Sequence, residues 1–125
     1  MIQLDTSFLI HALIRDSSED RLLRTWLLEG ASLALSAIAW AEFLCGPLEP
    51  EEIALAGRVI GQVLPFAVED AAMAAELFNR SGRRRGSLAD CMVAATALLR
   101  DASLATANPA DFRRLEASGL KVLTA

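Results

Sequence analysis

Short apolar extended segments alternate with helical stretches along this chain, and no other feature constrains its fold as strongly. Residues 1–5, 31–35, 63–66, 103–106 and 122–123 read as strands, and the stretches between them place apolar residues at helical spacing. Capping residues mark the joints. Asp5-Thr6-Ser7 offers caps to a short helix over 8–13, and Ser17 or Ser18 caps a helix over 19–28 that Glu29-Gly30 ends. Ser36 caps the helix that carries Glu42, which Gly46-Pro47 closes. Further helices are expected from Pro50 to about 61, over 69–80, over 88–100 behind a Ser87 cap, and from Pro109 through 115. Strands alternating with helices predict an α/β fold: a mostly parallel central sheet flanked by helices, with ligands bound beyond the carboxyl ends of the strands. At 125 residues this is one domain, 1–125, able to bury a single core without staples.

Four acidic residues fall at element edges. Asp5 ends the first strand, Glu42 interrupts Ile38-Ala39-Trp40-Ala41-Glu42-Phe43-Leu44, Asp90 enters the apolar run Leu88-Ala89-Asp90-Cys91-Met92-Val93, and Asp111 follows Thr106-Ala107-Asn108-Pro109-Ala110. Asp5, Glu42 and Asp90 have apolar neighbours and are expected to be buried, yet no Lys or Arg lies within four residues of any of them. A buried bare carboxylate costs several kcal/mol, so each needs a partner, a proton or a cation. A shared divalent metal is the simplest partner, and the sheet topology brings the four acids toward one edge. Oxygen donors without His or Cys select Mg²⁺ or Mn²⁺ and point to phosphoryl chemistry. The single histidine, His11, sits in an apolar helical stretch and receives no role.

Composition narrows the rest. Apolar residues make up 54% of the chain and aromatics 6%, which favours helices packed closely through Ala and Leu. Trp26 and Trp40, at helical spacing with leucines, read as core or dimer-interface residues. Cys45 and Cys91 lie far apart without metal-ligand spacing and read as reduced, packed residues. No basic leader precedes a long apolar run and no apolar stretch approaches about 20 residues, which predicts a soluble cytoplasmic protein with no membrane contact. A net charge of −4 from 12 basic and 16 acidic residues argues against nucleic-acid binding by a general positive field. Any such contact must be local, and the basic loop containing Arg83, Arg84 and Arg85 is the one candidate.

Taken together, Asp5-Thr6-Ser7 after an apolar strand, Ala41-Glu42 in a Ser-capped helix, Leu88-Ala89-Asp90 leading into Val93-Ala94-Ala95-Thr96-Ala97, and Thr106-x-Asn108-x-x-Asp111-Phe112 resemble the acidic motifs of PIN domains. In length and spacing the chain is most similar to VapC-type toxins of toxin–antitoxin pairs. The resemblance runs from Ile2 to Phe112. It implies a PIN-like α/β sandwich, Mg²⁺- or Mn²⁺-dependent cleavage of an RNA substrate, homodimerisation, and inhibition by a small cognate antitoxin protein. Asp5, Glu42 and Asp90 match the three core metal ligands and Asp111 the more variable fourth acid. Thr106 and Asn108 match polar positions lining the site, with Ser7 a support for the Asp5 carboxylate. Some relatives carry an acid closer to Thr106, where this chain has neutral Asn108, so one ion or two both fit the pattern.

Other functions fit less well. A receiver-like signalling module needs adjacent acids after the first strand and a lysine at the end of the last one, whereas Asp5 precedes Thr6-Ser7 and the only lysine, Lys121, begins the last strand. A haloacid-dehalogenase-like phosphatase would show Asp-x-Asp at the first strand. A degenerate fold that only binds a partner would not retain all three core acids. A housekeeping RNA-processing nuclease is the alternative within the same chemistry.

Overall fold

The computed structural model describes all residues from Met1 to Ala125. Its centre is a five-stranded sheet built from β1 (Ile2–Leu4), β2 (Leu33–Ser36), β3 (Gln62–Leu64), β4 (Ser103–Ala105) and β5 (Lys121–Leu123). All four pairings are parallel, and the strand order is β3-β2-β1-β4-β5. The chain therefore winds outward from β1 through β2 to β3, then returns to the other side of β1. Beyond the C-terminal ends of β1 and β4 the connections diverge to opposite sides, which opens a crevice there.

Six α-helices cover the sheet: α1 (Thr6–Ala12), α2 (Ser18–Leu28), α3 (Ala37–Leu44), α4 (Pro50–Val59), α5 (Val68–Arg80) and α6 (Leu88–Leu99). Capping explains most of their starts. The Asp5, Ser17 and Ser36 side chains accept from the Phe8, Asp20 and Ala39 N–H groups, as the sequence pattern anticipates. Leu4, Leu35 and Leu104 from the three central strands meet Phe8, Phe43 and Phe112 in one core, each at most 2% exposed. The alanine content serves close approach, for Ala94, Ala95 and Ala97 of α6 have no exposed surface. No helix is long and apolar enough to cross a membrane.

Several boundaries differ from the sequence reading for identifiable reasons. The second strand starts at Leu33 rather than 31, because Gly30 takes a left-handed φ of 74° and Ala31 N–H turns back to the Trp26 carbonyl. The third ends at Leu64, since Pro65 has no N–H to extend a ladder. The expected helix from Pro109 is two 3₁₀ helices, Pro109–Asp111 and Arg113–Ser118. Phe112 and Leu115, at 2% and 0% exposure, bury at a spacing of three, which suits three residues per turn. Cys45 is exposed rather than packed, while Cys91 is buried. Ser87 occupies the N-cap position of α6 without capping it: its hydroxyl donates to the Arg84 carbonyl at 2.7 Å.

Candidate active site

Asp5 is the anchor of the crevice. It is 6% exposed at the end of β1, and its Oδ1 accepts from the Phe8 N–H at 2.8 Å and from Ser7 Oγ at 2.7 Å. Its Oδ2 accepts from Thr106 Oγ1 at 2.6 Å. Capping a helix and facing a site are not alternatives here, because one carboxylate does both. Thr106 and Ser7 tie the ends of β1 and β4 together: Thr106 Oγ1 accepts from the Asn108 N–H at 2.9 Å, and Ser7 Oγ accepts from the Ala107 N–H at 3.0 Å.

Asp5, Glu42, Asp90 and Asp111 all line one pocket of about 250 Å³, together with Ser7 and Asn108. Glu42 is exposed, contrary to the burial expected of it, because α3 turns Phe43 into the core and Glu42 toward solvent at the crevice mouth. Thr6, which the sequence suggested only as a cap, donates to Glu42 Oε1 at 3.3 Å and to the Ala39 carbonyl at 3.0 Å. Asp90 is half-buried in the first turn of α6, and Asp111 is exposed at the end of the first 3₁₀ helix.

The electrostatics record this crowding. Burial, followed by the charges of Asp111 and Glu42, pushes the Asp90 carboxyl up to about 6, with Arg114 opposing and Asp5 adding a smaller push. Asp5 also titrates above the ordinary carboxylate range, since its burial outweighs the three hydrogen bonds that favour its charge. An oxygen-only donor set under mutual repulsion suits a hard divalent cation. The carboxylates ring the pocket rather than meet, and no three of them stand close enough to share one ion as placed. Glu42 and Asp111 are the two exposed members.

The basic loop divides. Arg84 and Arg85 line a recess that also contains Asp90 and Asp111. Arg83 instead donates to Asn79 and lies over the Phe78 ring at 5.6 Å. Its N–H bonds the Phe78 carbonyl across Gly82, a turn that ends α5 with left-handed φ values at both residues. Arg114, which sequence reasoning passed over, lines the same recess. Its signal was present as the i, i+3 spacing from Asp111 in a segment of 3₁₀ helix. His11 is exposed on α1, its imidazole 3.8 Å from Glu19 and outside the pocket. Trp26 and Trp40 stack on Phe8 and Phe43, each pair with ring centroids 5.5 Å apart.

The PIN domain family model matches residues 2–117. The chain belongs to the PIN domain family. A sequence comparison with curated proteins gives no match. Among solved structures, VapBC2 from Rickettsia felis bound to a promoter DNA fragment is similar at 19% identity and a TM-score of 0.79, over 100% of this chain and 99% of that one. FitAcB from Neisseria gonorrhoeae is similar at 24% identity and a TM-score of 0.75, over 98% and 96%. VapC20 of Mycobacterium tuberculosis, a sarcin–ricin loop cleaving toxin, is similar at 15% identity and a TM-score of 0.61, over 85% and 87%. At these identities the likeness is one of fold.

Proposed function

We propose that this PIN domain is a metal-dependent endoribonuclease and the toxin of a type II toxin–antitoxin pair. The observation that carries the reading is the single pocket at the β1–β4 crevice that gathers Asp5, Glu42, Asp90 and Asp111, none of them in an ion pair, with Asp5 and Asp90 pushed upward by burial and by their acidic neighbours. The fold neighbours add support, since VapBC is a family of toxin–antitoxin systems and one neighbour cleaves the sarcin–ricin loop.

Asp5, Glu42 and Asp90 would hold Mg²⁺ or Mn²⁺, with Asp111 a fourth donor. Such an ion supplies the positive charge that lets water attack a phosphodiester and steadies the leaving oxygen. The protein's part is placement. Ser7 and Thr106 fix the Asp5 carboxylate so that its remaining lone-pair direction faces the pocket, and Asn108 supplies a neutral polar contact to substrate. Arg84 and Arg85 draw the RNA backbone toward the acids. Arg83, occupied by Phe78 and Asn79, holds the turn that presents them.

Mapping cleaved 5′ ends in cellular RNA after brief expression of wild type and of Asp5→Asn tests the activity. Wild type should create new ends that Asp5→Asn does not, and cleavage in vitro that persists in excess EDTA would refute the metal-dependent reading. The toxin assignment predicts a small partner protein that fills the pocket with a basic side chain, because an arginine satisfies several carboxylate oxygens at once. Raising Mn²⁺ should then weaken the complex, as should Glu42→Gln, while homodimerisation through apolar helix faces continues. Calorimetric titration at several Mn²⁺ concentrations measures this, and an affinity indifferent to Mn²⁺ and to the acids would place the partner elsewhere.

A further inference from the structure

Beside the acidic pocket lies a second recess of about 120 Å³ with no apolar lining. Arg84, Arg85 and Arg114 bring three positive charges to it, while Asp90 and Asp111 belong to both cavities and form their common wall. Arg114 forms no ion pair with either carboxylate. Its Nε is buried without an acceptor. Buried donors in folded proteins are satisfied as a rule, and a guanidinium fork matches the oxygens of a phosphate.

The local backbone points the same way. Ser87 stands in the recess at the N-cap of α6, but its hydroxyl is turned to the Arg84 carbonyl. The Leu88, Ala89 and Asp90 N–H groups consequently find no acceptor in the protein, which leaves the positive end of a twelve-residue helix uncapped at the recess. Counter-charge for Asp90 and Asp111 alone would be served better by direct pairing, which Arg114 does not make.

We infer that this recess is a phosphate subsite, in which Arg114 anchors a backbone phosphate of the RNA strand adjacent to the linkage cleaved in the acidic pocket. The inference rests on the nuclease reading of that pocket and adds to it the direction in which the strand leaves. Arg84 and Arg85 close on the same phosphate or its neighbour, and Arg83 takes no part.

The test uses the Asp5→Asn chain, so that binding is measured without cleavage, with a short fluorescein-labelled single-stranded RNA of randomised sequence in EDTA. Arg114→Gln in that background should weaken binding about fivefold and reduce the slope of log affinity against log salt by about 0.7, the increment for one phosphate contact on a single strand. Arg114→Lys should recover part of the affinity, and Arg83→Gln should change neither quantity. Independently of any substitution, the Arg114 Nε–H cross-peak in a ¹⁵N spectrum should shift on titration with the same RNA. An unmoved cross-peak at saturation, or an affinity and salt slope unaltered in Arg114→Gln, would overturn the subsite. A cross-peak moved by a polyglutamate peptide and not by RNA would also overturn it, in favour of a protein ligand. Failure of the nuclease reading is scored separately by wild-type cleavage, so a chain that binds RNA through Arg114 but cuts nothing refutes that reading alone.

Discussion

Two buried aspartates in this fold have nearly the same hydrogen-bond partners and opposite acidities. Asp5 accepts from a threonine hydroxyl, a serine hydroxyl and a backbone N–H. Asp70, 2% exposed between α5 and α6, accepts from Thr96 Oγ1 at 2.8 Å, the Ala67 N–H at 3.0 Å and Arg100 at 3.2 Å. Burial pushes both upward and is the largest influence on each. At Asp70 the hydrogen bonds and the Arg100 charge win, and its carboxyl sits below the ordinary range. At Asp5 they lose, with Asp111 pushing further upward. The difference is one cation. Asp70 has its own arginine, whereas Asp5 has no cation beside it and an acidic neighbour in Asp111.

Exchanging each aspartate for its neutral isostere breaks the comparison most directly. Asp5→Asn keeps a side-chain oxygen to cap α1, so the metal-free protein should melt within a few degrees of wild type. RNA cleavage should fall by more than about a hundredfold, since loss of even a supporting partner in a metal site costs about 10- to 100-fold. Asp70→Asn should do the reverse, leaving turnover of the folded protein near normal while removing about 2–3 kcal/mol of stability, because Arg100 and Thr96 lose a charged acceptor in a buried setting. Parallel melts and cleavage assays read both. If Asp70→Asn abolished cleavage without destabilising the fold, the division between a structural and a functional aspartate would be wrong.

The two classes of aspartate also predict opposite responses to pH. The folded pKa of Asp70 is depressed, so its contribution is present above the unfolded value near 3.9 and is lost as pH falls through the folded value. Asp90 is raised to about 6, so the folded state binds the extra proton and stability declines as pH rises from about 4 to 6. Discounted for its partial exposure, that strain amounts to about 1–2 kcal/mol at neutral pH. Asp90→Asn should therefore raise the melting temperature of the metal-free protein at pH 7 by several degrees and flatten the pH dependence between 4 and 6. An unchanged pH profile would show that Asp90 is not under the repulsion assigned to it.

How much of this was legible in the sequence follows from what each feature depends on. Strand–helix alternation and the Ser17 and Ser36 caps are local, and they fixed the sheet class and most helix starts. The convergence of the acids was legible because topology alone carries the ends of β1 and β4 to one edge, and the same topology puts Lys121 at the opposite edge, pairing with Asp101. Burial was not legible at Glu42, because of the apolar residues beside it on α3 only Phe43 enters the core, while Ala41 and Leu44 are exposed as Glu42 is. Nor was the split between Arg83 and Arg84, which depends on a left-handed turn after Gly82. Asp70 shows the general difficulty: a partner 30 residues away leaves no mark in the neighbouring sequence.

The smallest expected effect sharpens the comparison at a single hydroxyl. Ser7 Oγ donates to Asp5 Oδ1 and accepts from the Ala107 N–H, so it links the carboxylate to the loop after β4, and Asp70 has no equivalent bridge. Ser7→Ala leaves the Ala107 N–H without that acceptor and frees Asp5 to turn. The stability cost should be about 1–2 kcal/mol, the ordinary worth of two partly buried hydrogen bonds. Cleavage should fall about tenfold, and because the defect lies in placing a ligand, raising Mn²⁺ should restore part of the loss. Ser7→Thr, which keeps the hydroxyl, should recover more activity than stability if its added methyl crowds the site. The measurement is cleavage rate against Mn²⁺ concentration for the three chains beside their melts. A tenfold loss that no amount of Mn²⁺ relieves would mean that Ser7 acts on the RNA and not through Asp5.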